Sequence, residues 1–295
     1  MPWACALGVS PAVATQSGSR CPDWVNEYDQ ASALLGDAID MVKCETNDLL
    51  VPADAEIVIE GVISHSEVEV EGPFGEYPGY LPFHTAAAPR QTVTAVTFRN
   101  DPILPISLPG VPTDNCHVSM GFFTSADIVV ALREAGLPVI DAMTTFESAL
   151  HWLVIRVPSD WHNITGLKVD DFIKKIATSF WTQHVGQVCT KIIVVGEDID
   201  PADPNLVTWA LATRNHPTLG TYHFPEIDSK GTGLEAYHSV NEHLRGKGGL
   251  VIYSCLYLQD RVGLPRMRIL SFEKDYPKPI QEKVLANWRR WGFEN

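Results

Sequence analysis

The segment TSADIVVALREAG, residues 124–136, divides the sequence into two parts that differ in hydrophobic period. Its apolar residues recur at helical spacing, and Thr124 or Ser125 is suited to the N-cap position. Gly136 is suited to the position just past the last turn, with Pro138 soon after it. The segment therefore predicts a helix that links two structural regions.

The region before this helix has mainly the pattern of β-strands. Apolar and polar residues alternate, as in half-buried strands, in AEIVIEGVI (55–63), SEVEVEG (66–72) and QTVTAVTFRN (91–100). DPILPISLPG (101–110) is interrupted by prolines, so it fits only an edge strand or an irregular extension.

Strands and helices alternate in the region after it. The strand segments are ALHWLVIRV (149–157), KIIVVGEDID (191–200) and GGLVIYSCLYL (248–258). The helix segments are KVDDFIKKIATSFWTQHVG (168–186), DPNLVTWALATR (203–214) and KPIQEKVLANWRRWGF (278–293). This order predicts an α/β layer with some parallel pairing, and hence an α/β (mixed α+β) fold. Residues 215–247 are predicted to form one long loop.

Composition excludes several classes of function. A formal net charge of −14 argues against nucleic acid, whose phosphates the protein would repel. The six cysteines include no C-x-x-C pair, which argues against a zinc site or a disulfide framework and favours a reducing compartment. The longest apolar runs are too short to span a bilayer. We therefore expect a cytoplasmic protein that binds neither membrane nor nucleic acid.

Two carboxylates flank a turn in EGPFGEYPGY, residues 71–80. On a straight strand Glu71 and Glu76 would face opposite sides, but the intervening GPFG breaks the strand and allows both to face one cavity. Two acids in a confined site acquire different pKa values, which is what general acid and base catalysis requires. On spacing alone, a solvated acidic turn is the favoured alternative.

A second acidic motif is GEDID, residues 196–200, at the end of a predicted strand. Asp198 and Asp200 can be read as a metal-binding pair, but residues that cap the following loop and helix are the favoured interpretation.

The EGPFGE motif resembles the most recognisable motif of the UbiD family, the prenylated-flavin-dependent reversible decarboxylases. Other segments are similar, in order, to its fungal ferulic (cinnamic) acid decarboxylase branch: MPWACALGV (1–9), VKCETNDLLVPADAEIVIEG (42–61), FRNDPILP (98–105), VGEDID (195–200), WALATR (209–214) and KVLANWRRWGF (283–293). The resemblance covers the whole chain but only about the C-terminal three-fifths of a full family member.

The resemblance implies a domain organisation. Residues 1–123 would form the C-terminal part of a split β-barrel that binds prenylated FMN, and residues 124–136 the linking helix. Residues 137–295 would form a C-terminal α/β domain with a role in oligomerisation, in a homodimer or a higher homo-oligomer.

The resemblance also implies roles for individual residues. Glu76 would protonate the substrate carbon after carbon dioxide leaves, and Glu71 would be its partner, paired in the family with an arginine. Glu27 would help to hold Mn²⁺ against the cofactor phosphate. Ser17 and Ser19 would lie beside the phosphate and a K⁺ ion, although turn chemistry explains both serines as well.

Two further positions follow from the same comparison. Met120 would line the substrate pocket; an ordinary core methionine is the alternative. His184 stands where ferulic acid decarboxylases have a lysine that meets the cofactor phosphate, and a satisfied surface histidine is the slightly favoured alternative.

The implied reaction is decarboxylation of an aromatic or α,β-unsaturated carboxylic acid, through cycloaddition to the cofactor and protonation by Glu76. The sequence departs from the family in lacking the essential arginine and the His and Asn that complete the metal site, which lie upstream in full members. The chain is therefore expected to be a fragment of a working enzyme, one subunit of a split enzyme with a separate N-terminal subunit, or a catalytically impaired oligomerisation module. A flavin-binding oxidoreductase is the competing class, but no G-x-G-x-x-G motif supports it.

Overall fold

A computed structural model describes residues 1–18, 25–81, 86–182, 189–228, 236–237, 247–257, 267 and 269–294. The chain forms two compact units, Met1–Leu256 and Tyr257–Asn295. Among the described residues, the strands lie in the first unit, and the second contains the helices α7 (Phe272–Asp275) and α8 (Lys278–Asn287). The fold is mixed α/β, as predicted. The division into residues 1–123, 124–136 and 137–295 stays a prediction.

The first sheet is antiparallel and has the order β1-β4-β5. Its strands are β1 (Pro2–Leu7), β4 (Ile57–Glu71) and β5 (Ala86–Phe98). The two predicted strand segments 55–63 and 66–72 form this single strand β4, with an irregularity between Ile63 and Val68. Smaller elements of this region are α1 (Pro11–Gln16), α2 (Glu27–Leu35) and a ribbon of β2 (Met41–Lys43) and β3 (Leu50–Pro52).

The two halves of β4 have different environments. Residues 57–62 pair with both β1 and β5, and Gly61 packs so closely that an added Cβ would lie 2.4 Å from the carbonyl oxygen of Thr92. Residues 67–71 are exposed and pair only with β5 among the described strands. The long hairpin therefore carries its end, Glu71, away from the packed part of the sheet.

The linking helix begins earlier than the sequence predicts. Helix α3 spans Asn115–Glu134, and Asp114 rather than Thr124 or Ser125 is the N-cap, so the predicted start was wrong. Asp114 accepts hydrogen bonds from two backbone N–H groups of the first turn, which is a stronger start signal than a mid-segment hydroxyl. Ser125 instead donates to the carbonyl oxygen of Gly121 within the helix. The predicted end is confirmed, because Gly136 adopts a positive φ of 73°.

The second sheet has the order β6-β7-β8-β10-β9. Its central pairs are parallel and its outer pairs antiparallel, and the strands are β6 (Asp141–Thr144), β7 (Trp152–Val157), β8 (Lys191–Gly196), β9 (Thr221–Asp228) and β10 (Lys247–Ser254). The helices of this region are α4 (Trp161–Thr165), α5 (Val169–Thr182) and α6 (Pro204–Arg214). Most residues of β7 and β8 are buried, so the main core lies here.

Two predictions for this region need correction. The segment 215–247 is not one long loop, because it contains β9, which pairs with β10. The terminal helix ends at Asn287 and a short 3₁₀ turn, Arg289–Trp291, follows it.

Glu60 fixes the loop after β2 to the middle of β4. Its buried carboxylate accepts hydrogen bonds from the backbone N–H groups of Glu45 (2.8 Å) and Thr46 (2.7 Å) and from the Thr46 hydroxyl (2.6 Å). Burial by itself would raise the pKa of Glu60, but the bonds from Thr46 and Glu45 outweigh it and the pKa lies below the ordinary value.

Glu60→Gln should therefore weaken the fold in a pH-dependent way. A lowered carboxylate pKa stabilises the folded state above the unfolded-state pKa of about 4.3, and this stabilisation is lost as the pH falls through the folded-state pKa. At neutral pH we expect the free energy of unfolding to fall by about 1–3 kcal/mol. The reason is that the amide NH₂ group of glutamine replaces one carboxylate oxygen and cannot accept the hydrogen bond that this oxygen accepts. Chemical denaturation between about pH 3 and pH 7 measures this. Glu69→Gln, at an exposed position of the same strand, is the matched control. If Glu60→Gln lost the same unfolding free energy at low and at neutral pH, the prediction would be contradicted.

Candidate active site

The chain leaves β4 at Glu71 and forms a compact turn over residues 72–80. The backbone N–H of Glu76 donates to the carbonyl of Tyr80, and that of Gly79 donates to the carbonyl of Glu76. Gly79 has a φ of 88°, and an added Cβ would lie 2.7 Å from the carbonyl oxygen of Gly110. The turn thus requires glycine there, both for its backbone conformation and for its close packing on the segment before α3.

The turn brings the two predicted acids into electrostatic contact. Glu76 is partly buried and Glu71 is exposed. Burial raises the pKa of Glu76, and the charge of Glu71 raises it further. Within the part of the chain that the structure describes, neither carboxylate forms an ion pair. Glu76 therefore holds a proton more tightly than an ordinary glutamate, as a general acid does.

Apolar side chains are exposed beside these acids. Phe74 is 51% exposed within the turn, and Leu108 and Val111, next to the packed residues 109–110, are 78% and 85% exposed. An apolar surface next to a carboxylic acid is suited to a planar aromatic or unsaturated ligand. The turn and the segment packed on it therefore combine a carboxyl group of raised pKa with exposed apolar side chains.

Sequence reasoning missed one residue that contacts this turn. His117, fully buried near the start of α3, places its Nε2 atom 2.7 Å from the carbonyl oxygen of Tyr77, next to Glu76 in the chain. Its Nδ1 atom accepts a hydrogen bond from the backbone N–H of Asp114. The signal was available in the sequence, because Asp114 and His117 have the spacing of a capping box.

Met120 lies on the same helix and is 40% exposed. Its neighbours Val118 and Phe122 are also exposed, at 41% and 58%. This exposure contradicts the alternative of an ordinary core methionine. The role of Met120 in a substrate pocket stays a prediction.

The predicted phosphate and metal residues are only partly within the described structure. Ser17 ends α1 and its hydroxyl donates to the carbonyl of Ala14 at 2.7 Å, so turn chemistry accounts for it. Glu27 is exposed in the first turn of α2. Helices α1 and α2 are joined by a 3.0 Å hydrogen bond from Gln16 to Gln30. Ser19 and His184 lie outside the described residues.

The described residues do not by themselves form a metal site. Among them, no three His, Cys, Asp or Glu side chains lie close enough together to hold an ion. Glu27 supplies one carboxylate, whereas Mn²⁺ prefers several oxygen or nitrogen ligands. A metal at Glu27 would need ligands from elsewhere.

The second acidic motif has a structural role, but of its two aspartates Asp200 alone has the capping role favoured from the sequence. The carboxylate of Asp198 accepts two hydrogen bonds from Arg214, at 3.0 and 2.9 Å. Asp200 accepts one from the backbone N–H of Ala202. Both carboxylates are therefore engaged within the fold.

Comparison with protein families gives two adjacent matches. Residues 1–112 match the Rift-related domain of the 3-octaprenyl-4-hydroxybenzoate carboxy-lyase (UbiD) family. Residues 117–254 match the C-terminal domain of the same family.

Curated relatives match along the whole chain. The chain is 36% identical to a pyrrole-2-carboxylic acid decarboxylase of Pseudomonas aeruginosa over 99% of its length. It is 35% identical to ferulic acid decarboxylase 1 of Saccharomyces cerevisiae over 100% of its length. It spans 58% of the length of each relative.

Solved structures agree with these matches. The UbiD-class enzyme HmfF from Pelotomaculum thermopropionicum, in complex with FMN, superposes with a TM-score of 0.72 at 29% identity. The match covers 93% of this chain and 58% of HmfF. An evolved dimeric form of HmfF in complex with prFMN gives a TM-score of 0.69 at 28% identity, covering 93% of this chain and 56% of that one.

The stability of the Glu76→Gln variant, compared with that of the wild type at the same pH, should increase as the pH rises. Because the folded-state pKa of Glu76 is raised, its contribution to stability is full below the unfolded-state pKa of about 4.3 and is lost as the pH rises through the folded-state pKa. We expect the unfolding free energy of the variant, relative to the wild type, to increase from about pH 4 to pH 7. Urea titrations at several pH values measure it, with Glu69→Gln as control. A relative stability that decreases with pH would show that the pKa is lowered instead.

Proposed function

The chain belongs to the UbiD family, and we propose that it supplies the acid-bearing part of a prenylated-FMN-dependent, reversible decarboxylase. The observation that carries this proposal is the Glu71–Glu76 pair, in which burial and a neighbouring carboxylate raise the pKa of Glu76. A solvated acidic turn would not need two acids held together against their mutual repulsion.

In the proposed reaction Glu76 acts as general acid. The bond between the substrate carbon and its carboxyl group breaks, carbon dioxide leaves, and Glu76 delivers its proton to the carbon that lost the carboxyl group. When bound, prenylated FMN supplies the electron sink for this bond cleavage through its cycloaddition chemistry. Glu71 keeps the proton on Glu76 until it is needed, and in the reverse direction Glu76 takes the proton back.

The remaining predicted residues complete the proposal. Ser17, Ser19 and His184 would lie beside the cofactor phosphate, the serines also beside K⁺, and Glu27 would contribute one ligand to Mn²⁺. Met120 would line the substrate pocket, which its exposure permits. Because the described residues offer a single carboxylate for the metal, no step of the reaction is assigned to it.

The substrate and the assembly follow from the relatives. We propose an aromatic or α,β-unsaturated carboxylic acid as the substrate, in line with the pyrrole and ferulic acid decarboxylases that the chain resembles. A cinnamic acid is one candidate. We also propose a cytoplasmic homodimer or higher homo-oligomer that uses residues 137–295 for assembly. Among the described residues, helix α3 is long and apolar enough to cross a bilayer by length and composition; it packs on β6 and α5 and is 33% buried over that stretch.

The alternative is a split or truncated, catalytically impaired subunit that acts as partner or oligomerisation module. Two observations favour it. The chain spans 58% of its relatives, and among the described residues Glu71 has no cationic partner. A separate N-terminal subunit that carries the family's arginine would then complete the site.

Glu76→Gln should abolish decarboxylation while the cofactor stays bound. We expect a loss of about 10²–10⁴-fold in kcat, the usual contribution of a general acid. The measurement is carbon dioxide release from cinnamic-type and aromatic acids, together with the absorbance spectrum. It uses the chain reconstituted with prenylated FMN and co-expressed with a polypeptide that supplies the rest of the relatives' length. Glu69→Gln, which removes an acid from the same strand, should keep activity. Unchanged redox turnover without any decarboxylation, in wild type and variant alike, would instead indicate a flavin oxidoreductase.

The chain by itself should be a poor or inactive catalyst. Without the family's arginine, the charge of Glu71 is not compensated. Turnover should therefore depend on a polypeptide that supplies the rest of the relatives' length. The test compares carbon dioxide release by the chain alone with release after co-expression of such a polypeptide, in the presence of prenylated FMN and Mn²⁺. Robust release by the isolated chain would refute the prediction. Absence of any cofactor binding in either sample would favour a purely structural module.

A further inference from the structure

We propose that His117 is a positioning residue that holds the turn carrying Glu76, through a hydrogen bond from its Nε2–H group to the carbonyl oxygen of Tyr77. The inference rests on the proposed function only in treating that turn as catalytic. The anchoring itself follows from the geometry of His117.

Each ring nitrogen of His117 has a partner. Nδ1 lies 3.0 Å from the backbone N of Asp114, which can only donate, and 3.0 Å from the Oδ1 atom of the same residue, which can only accept, so the partner of Nε2 decides where the proton of the neutral ring lies. Nε2 lies 2.7 Å from the carbonyl oxygen of Tyr77, which can only accept. If the ring were doubly protonated, Nε2 would still donate to Tyr77. The contact with the turn therefore exists in either protonation state.

The other end of this contact is rigid. Asp114 accepts from the N–H groups of Cys116 (2.8 Å) and His117 (3.2 Å), and its second oxygen accepts from Gly110 (3.1 Å). The same Asp114 therefore fixes the start of α3 and the segment on which Gly79 packs. Helix α3 in turn packs on β6 and α5. His117 links the turn to the packed part of the molecule.

The position of the turn determines the pKa of the Glu76 carboxyl group. This pKa depends on the burial of Glu76 and on its distance from Glu71, and both change if the turn moves away from α3. A loosened turn would let water reach Glu76 and would misplace its proton. His117 would thus affect catalysis without contacting the substrate.

Two substitutions separate the anchoring role from the helix cap. In His117→Asn the side-chain oxygen takes the place of Nδ1, so the bond from Asp114 is kept and the bond to Tyr77 is lost. In His117→Gln the amide nitrogen takes the place of Nε2, so the bond to Tyr77 is kept and the bond from Asp114 is lost. Ser125→Ala is the control, because it removes buried hydrogen bonds to Gly121 and Thr144 from the same helix.

The first readout needs no cofactor. Amide hydrogen exchange at Glu76 and Gly79 should accelerate about tenfold in His117→Asn, the effect of one lost hydrogen bond, and change little in His117→Gln and Ser125→Ala. The pKa of the Glu76 carboxyl, followed by ¹³C NMR and assigned with Glu76→Gln, should fall towards the ordinary value in His117→Asn alone. Equal effects of Asn and Gln, no effect of either, or unfolding of both would overturn the proposal.

The second readout uses the complete enzyme with its cofactor. His117→Asn should lower kcat by about 10- to 100-fold with little change in KM, as expected for a displaced catalytic group, and His117→Gln should restore most of it. The two proposals can fail separately. If Glu76→Gln still decarboxylates while the NMR and exchange results hold, the proposed function fails and the positioning role stands. If Glu76→Gln is inactive and His117→Asn resembles the wild type in every readout, only the positioning role fails.

Discussion

Two like-charged carboxylates held close together repel each other, and the arrangement around Glu71 and Glu76 has to overcome that repulsion. Glu71 is the last residue of β4, and the outer half of this strand is exposed. Few packing contacts therefore hold Glu71 in place. Within the described residues, two short-range backbone hydrogen bonds close the turn that contains Glu76. The restraint must therefore come from the segment before α3 and from α3 itself, which explains why the turn packs glycine against backbone there.

The rest of the fold can be understood as support for that restraint. The second sheet holds the main apolar core, and most residues of its inner strands β7 and β8 are buried. Helix α3 packs on β6, an edge strand of this sheet, and Asp114 accepts hydrogen bonds from its first turn. The turn that follows the exposed hairpin strand is thereby linked to the sheet that holds the main core.

Local signals in the sequence predicted local structure well. Asp203 and Pro204 begin α6 as N-cap and first helical residue, because that preference depends on a few adjacent atoms. The alternating pattern likewise located β4 and β5. Strand β9 was missed, since its sequence TYHFPEID contains a proline and few alternating apolar residues; pairing with β10 decides its conformation.

The same distinction applies to the site. The acids could be found because EGPFGE is a local motif, and the true start of α3 could have been found from Asp114 and His117. The contact between His117 and the carbonyl of Tyr77 joins residues 40 positions apart, and no local pattern encodes it. The raised pKa of Glu76 depends on burial by such distant segments, so the motif predicts the residues but not their chemistry.

Glu71, at the end of the exposed outer half of the β4–β5 hairpin, favours the proposed decarboxylase over a flavin reductase. Val68 and Val70 are 62% and 73% exposed, and glutamates alternate with them along the strand. A two-stranded ribbon with both faces open gains little stability in water by itself. Alternation along the strand places Val68 and Val70 on one face of the ribbon and Glu69 and Glu71 on the other, so Glu71 points away from the apolar face. Hydride transfer requires no such paired acids, whereas protonation of a carbon requires a carboxyl group kept neutral by its surroundings.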